Sequence, residues 1–156
     1  MILLEKAKKN FEIAEKSAEK EYYDIAVSRL YYSSYQRVVD YINSTPNGEE
    51  QLLNYKNNNS VIGGSHDTTI SFFQNILRFS NKEQLEIISI IDFLLDMKEA
   101  RNTADYKEKN ICKTKKQYER YKRRTEFINE FIDNLGGKYE QAIEWNKRKN
   151  KIFSKI

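Results

Sequence analysis

The chain has 156 residues, 39% hydrophobic and 32% charged, a balance that excludes a membrane-embedded or disordered protein and suits one domain with a real core. One proline and five glycines leave long stretches without a breaker, which points to an all-α fold. The net charge of +4 hides an asymmetry: residues 1–106 carry 12 Lys/Arg against 16 Asp/Glu, and residues 107–156 carry 15 against 7. A basic C-terminal third suits an anionic partner, or a merely solvated helix face.

Residues 2–20 place Leu3, Leu4, Ala7, Phe11, Ala14 and Ala18 at helical spacing, one apolar stripe of an amphipathic helix. This opening stretch has no apolar run of signal-peptide or membrane-span length. A second helix is expected over about 22–43, with Tyr23, Ala26, Val27, Leu30, Tyr31, Ser34, Tyr35, Val38 and Ile42 on a broad face. "STPNG" (44–48) breaks the chain, and residues 49–64 read as a short extra helix and a loop.

Ser65 is the expected N-cap of a helix running to about 79, with Ile70, Phe73 and Leu77 inward. Asn81 is the expected cap of the next helix, where Leu85, Ile88, Ile91, Leu95 and Ala100 predict deep burial. A linker follows over 105–113. Thr114 with Gln117 three residues on is a capping-box pattern for a further helix that ends at Gly136-Gly137. A basic segment over 138–153, with Tyr139, Ile143 and Trp145, completes the chain. The expected architecture is an antiparallel up-down bundle of four to five main helices, with a short extra helix and a basic C-terminal helix. Residues 1–136 form the bundle and 137–156 an extension of the same domain.

Four constellations could carry chemistry. In "AVSRLYYSSYQ", Tyr31 and Tyr35 lie one turn apart and Arg29 can share a face with Tyr32; packing explains the pattern as well as a polar site does. His66 is the only histidine and sits in the first turn of a helix, a candidate acid or base or simply an exposed terminal residue. "RNTADY" (101–106) offers Arg101, whose fork suits phosphate, an i,i+4 partner in Asp105, and Tyr106. "KTKKQYERYKRR" (113–124) interleaves Lys113, Lys115, Lys116, Arg120, Arg123 and Arg124 with Tyr118 and Tyr121, a nucleic-acid pattern that an ordinary exposed helix also shows. The single Cys112 excludes a disulfide framework and a cysteine-rich zinc site, and a reduced cytoplasmic setting is expected. No metal or cofactor is implied.

Taken in order, these elements resemble the HEPN superfamily (higher eukaryotes and prokaryotes nucleotide-binding domain), in its small stand-alone bacterial and archaeal branch. Ala26, Arg29, Tyr31 and Tyr32 match an Ala-x-x-Arg-x-Tyr-Tyr signature, His66 a histidine-opened third helix, and Arg101, Ala104, Asp105 and Tyr106 an Arg-x-x-Ala-Asp-Tyr signature. The likeness spans roughly residues 3–135. It implies a homodimer with its polar site near the subunit interface. It also implies pairing with a nucleotidyltransferase antitoxin, or a role in phage and mobile-element conflict. Active members are metal-independent ribonucleases that use an Arg and, four to six residues on, a His.

This chain has Tyr106, Lys107 and Glu108 at those positions. The expected catalytic set is therefore Arg101, His66 and Tyr106, with Arg29, Tyr31, Tyr32 and Asp105 as the polar cluster around it. The alternative is a catalytically inactive HEPN module that acts as a dimeric protein-binding or regulatory partner. A third possibility is an accessory protein that binds nucleic acid through residues 107–156 alone.

Overall fold

The computed structural model describes residues 2–58, 64–107 and 109–135, which form six helices and no strand. They are α1 (Ile2–Glu19), α2 (Tyr23–Ser44), α3 (Gly48–Asn58), α4 (Ser65–Leu77), α5 (Gln84–Tyr106) and α6 (Lys115–Asp133). The expected loop at 59–63, the Gly136-Gly137 cap and the extension over 137–156 lie outside the described residues. Among the described residues, no helix is long and apolar enough to cross a membrane.

α2 is the hub of an all-α bundle, packing against α1, α5 and α6. Its buried face of Ala26, Val27, Leu30, Tyr31, Val38, Tyr41 and Ile42 repeats at three and four residues. The stripe read in the first segment does face inward, and at its centre Ala7 and Ala14 have no exposed surface. After α2, the Thr45 hydroxyl donates to the Ile42 carbonyl at 2.6 Å and turns the chain into α3. Gly48 is required there, because a Cβ would stand 1.8 Å from the Ile42 oxygen.

Three expected boundaries move. Gly64, not Ser65, is the N-cap of α4; its φ of +96° turns the chain into the helix, and the Ser65 hydroxyl instead accepts from Lys56 Nζ at 3.2 Å. Asn81 does not cap α5, which begins at Gln84; Ser80 makes the reversal by donating to the Leu77 carbonyl and accepting from Lys82 N–H. RNTADY is helical throughout, since nothing in it breaks a helix, so the connection to α6 starts at Lys107 rather than at 105.

The largest correction concerns the facing of α5. Leu85, Ile88 and Leu95 are exposed at 76%, 40% and 36%, although their apolar character predicts burial. The buried stripe is Ile87, Ile90, Ile91, Leu94, Met97, Lys98, Ala100 and Arg101. A helix apolar on more than one side has to choose a face, and this one is turned so that two cations lie inward.

The chain leaving α5 is held by the Asp24 carboxylate, which accepts from the backbone N–H of Ile111 and Cys112 at 3.1 and 3.0 Å. Cys112 is buried, and that burial pushes its thiol up to about 11. α6 then starts as its sequence predicts, with the Thr114 hydroxyl accepting from Gln117 N–H at 3.2 Å. Tyr118 and Lys122 both reach Glu15 and tie α6 to α1. Thr114→Ala is expected to lower stability by about 1 kcal/mol, the usual loss on removing a capping hydroxyl. Urea denaturation measures it, with an unchanged slope showing that the fold is intact.

Candidate functional site

The site is assembled on the tyrosine run of α2. Helical spacing places Tyr31 and Tyr35 one turn apart, with rings stacked at 5.7 Å and 25°, while Tyr32 is rotated to meet Tyr31 at 60°. His66, the second residue of α4, lies flat on Tyr35 at 4.0 Å and 9°. Its Nδ1 is 2.8 Å from the Tyr31 hydroxyl, and the imidazole tautomer decides which group donates. Nε2 has no hydrogen-bond partner among the described residues.

Arg101 enters from α5 and approaches two of these rings, Tyr31 and Tyr32. Its guanidinium carbon lies 5.5 Å from the Tyr31 ring centroid, 5.3 Å from Tyr32 and 5.9 Å from Tyr106. Such contacts are the reach of cation–π attraction. Only 8% of Arg101 is exposed, and its Nε finds no hydrogen-bond partner among the described residues. Asp105, one turn along, does not pair with it. That carboxylate accepts from the Ser28 hydroxyl at 3.1 Å. The helix persists as the i,i+4 reading required, yet Asp105 is turned to α2 instead.

Of the residues singled out in the sequence, Tyr31, Tyr32, His66, Arg101 and Tyr106 therefore come together. Tyr106 lies at the open edge, 77% exposed. Arg29 does not join them; it is exposed and donates to Asn10 on α1 at 3.4 Å. Two further residues complete the surroundings. Lys98 is 8% exposed and donates to Asp67 at 2.5 Å, one residue after His66. Lys98 stands one turn before Arg101, between Asp96 and Glu99, so no sequence signal set it apart from an ordinary solvated charge. Tyr35 is the other, donating to Thr69 at 3.2 Å while carrying the imidazole on its face.

These neighbours set the protonation states. Burial lowers the affinity of His66 for a proton, and the charges of Arg101, Lys98 and Lys56 lower it further against the opposing pull of Asp67. The imidazole is thus neutral at neutral pH, as a general base must be. Burial and the neighbouring Tyr35 push the Tyr31 phenol well above its ordinary range, so it remains a hydroxyl. Among the described residues, no three His, Cys, Asp or Glu side chains gather as metal ligands.

The second candidate surface is the first half of α6. Lys113, Lys115, Lys116, Arg120 and Arg123 are exposed. Arg124 is half-buried over Phe93 at 5.2 Å and lies 3.8 Å from Asp96. The interleaved aromatics turn inward. Tyr118 is 3% exposed and Tyr121 is half-buried, so this face offers charge rather than stacking rings.

No family model, curated protein or solved structure matches this chain.

Because the folded protein binds the His66 proton less readily than the unfolded chain, neutral His66 favours the fold. That contribution is complete above the ordinary value of 6.5 and is lost as the pH falls through the lowered folded value. The imidazole resonances of this one histidine are expected to titrate below 6.5 by NMR. Arg101→Met, which removes the stronger of the opposing cations, should move the midpoint upward.

Proposed function

We propose that this chain is a HEPN-type RNA-associated protein whose Tyr31–His66–Arg101 cluster cleaves RNA without a metal ion. The observation that carries the reading is that one phenol, Tyr31, contacts both the imidazole and the guanidinium. On this reading His66 would take the role left open in the RNTADY helix. An antiparallel up-down helix order and a homodimer belong to the same reading, and exposed Leu85, Ile88 and Leu95 give α5 an apolar face for a second copy. A toxin's role beside a nucleotidyltransferase antitoxin, or one in phage and mobile-element conflict, is the expected setting.

In the proposed reaction, Nε2 of neutral His66 takes the proton of a ribose 2′-OH. The 2′-oxygen attacks the adjacent phosphorus, and the bond to the 5′-oxygen breaks. A 2′,3′-cyclic phosphate forms, and the imidazolium returns its proton to the leaving 5′-oxygen. For Nε2 to be the base, Nδ1 must carry the other proton and donate to the Tyr31 oxygen. Arg101 would stabilise the charge developing on the phosphorane oxygens, since among the described residues its guanidinium has no carboxylate partner to compete for it. Tyr106, exposed beside Arg101, is placed to contact the substrate at the edge. The α6 cations would steer the RNA backbone.

The near-complete burial of Arg101 favours a second reading, in which the cluster is structural and the protein acts as a silent dimeric or regulatory module. One set of experiments separates the two. On the cleavage reading, purified protein degrades RNA equally well in EDTA, and Arg101→Ala or His66→Ala reduces the rate by about a hundredfold or more. On the silent reading the wild type does not cleave, and Arg101→Ala lowers thermal stability or dimerisation. Equal cleavage by wild type and Arg101→Ala would sink the catalytic assignment. Lys116→Ala and Arg123→Ala should each flatten the salt dependence of RNA binding by roughly 0.7 in log–log slope, while leaving the rate on bound RNA unchanged.

A further inference from the structure

His66 owes its place to the first turn of α4, and that turn has little local support. Its N-cap is Gly64, which has no side chain to accept from the free N–H groups of the helix end. Thr68 and Thr69 donate back to the carbonyls of Gly64 and Ser65 within the same turn. Helix ends fray, and a residue in the first turn moves with them.

Four side-chain contacts from other helices hold the turn. Lys56 of α3 reaches Ser65 at the surface. From α2, the Tyr31 hydroxyl meets His66 and the Tyr35 hydroxyl donates to Thr69. From α5, Lys98 donates to Asp67, and among the described residues this is the one ion pair between α4 and α5. Its side chains are 11% and 13% exposed, and Nζ stands 2.5 Å from Oδ2, with the exposed Glu99 farther off at 3.5 Å.

Stability alone does not call for such a pair. Apolar residues of similar volume often hold two elements together as well as a buried ion pair does, or better. What they lack is direction. A hydrogen-bonded carboxylate fixes one angular position on α4, and consecutive helical residues lie about 100° apart, so fixing Asp67 also fixes where His66 points. The pair's two charges oppose each other at the imidazole, since Lys98 lowers its proton affinity and Asp67 raises it. The anchor therefore leaves the charge of the ring to burial and to Arg101.

We propose that Lys98 and Asp67 are the positioning residues of this site: their bond locks the first turn of α4 against α5 and keeps the His66 imidazole on the Tyr35 face with Nδ1 at the Tyr31 hydroxyl. Its consequence for catalysis rests on the ribonuclease reading, whereas the positioning itself does not.

The test compares the full chain with Asp67→Val/Lys98→Met, which replaces the pair by apolar side chains, and with Asp67→Asn, which leaves Lys98 an oxygen to donate to. NMR of the one histidine reads the position directly, because its ring protons lie over the face of Tyr35 at 4.0 Å and are shielded there. The double variant should melt within about 5 °C of the wild type yet lose this shielding. Its His66 midpoint should rise toward 6.5 as burial is relieved, although Tyr31, Tyr32 and Tyr35 of α2, Arg101 of α5 and Lys56 of α3 are all unchanged. Asp67→Asn should keep the shielding and lower the midpoint, because the carboxylate that raises it is gone.

Shielding kept in the double variant, shielding lost in Asp67→Asn, or a double variant that no longer folds would each overturn the proposal. If the wild type cleaves RNA, the double variant should lose roughly tenfold to a hundredfold in kcat with KM little changed, the scale of a misplaced catalytic group. If it does not, shielding and midpoint still decide the matter, so failure of the positioning and failure of the cleavage reading are told apart.

Discussion

The arrangement of this bundle depends on placing one guanidinium, Arg101, in the interior with no carboxylate partner among the described residues. Removing an ion from water costs several kcal/mol even after the protein relaxes. The contacts offered in return are three aromatic faces, each worth about 0.5–2 kcal/mol at most. Those faces dictate much else. They require α2 to carry its tyrosines at 31 and 32, and they require α5 to turn Arg101 inward and leave Leu95 outside. They also leave the compensation incomplete, since Nε finds no hydrogen-bond partner among the described residues. A guanidinium held this way retains most of its attraction for an anion, whereas a salt bridge would have spent it. The same interior also carries Lys98, but that cation has Asp67 and is closed off. The two buried cations of α5 therefore differ in kind. One is balanced by Asp67, and the other has no carboxylate partner among the described residues.

The imidazole is governed by the same field. With Arg101 and Lys98 both near, protonated His66 would be a third cation in a half-buried space, and burial alone already opposes it. Neutral His66 is consequently the state that lets the cluster fold. It is also the state that could accept a proton from a substrate. An entering phosphate would reverse the balance by adding negative charge beside the ring, raising its proton affinity at the moment when a proton has to be taken. On the proposed cleavage reading, structure and chemistry would ask for the same protonation state before a substrate arrives, and the substrate would supply the change.

Much of the architecture was legible because helical periodicity is a strong signal where a helix has one apolar face. α1 and α2 read correctly for that reason, and Thr114 with Gln117 marked the start of α6 through a local hydrogen bond that needs no tertiary context. α5 failed because it is apolar on two sides; its facing is decided by Lys98 and Arg101, whose partners lie 31 and 70 residues away at Asp67 and Tyr31. The cap at Ser65 failed because Gly64 takes that position through a positive φ, and the cap at Asn81 failed because the turn built on Ser80 delays α5 until Gln84. Within the site, Arg101 and His66 were visible as chemistry-bearing residues. Tyr31 was named with the polar cluster, but its contacts with both groups could not be read, because His66 and Arg101 lie 35 and 70 residues away on other helices.

α6 gathers the remaining charges into one pattern. Its N-terminal half is basic and its C-terminal half carries Glu126, Glu130 and Asp133, with no acidic residue in the first turn and no basic residue in the last. That is opposite to what the helix dipole prefers at both ends. Such a helix gives up local stability and is held in place by its anchors, Glu15 to Tyr118 and Lys122 near one end and Arg37 to Asp133 near the other. What it keeps is charge of opposite sign toward its two ends, positive at Lys115, Lys116 and Arg120 and negative at Glu126 and Glu130. A polyanion at the basic end would correct that end, so binding there would stabilise the helix.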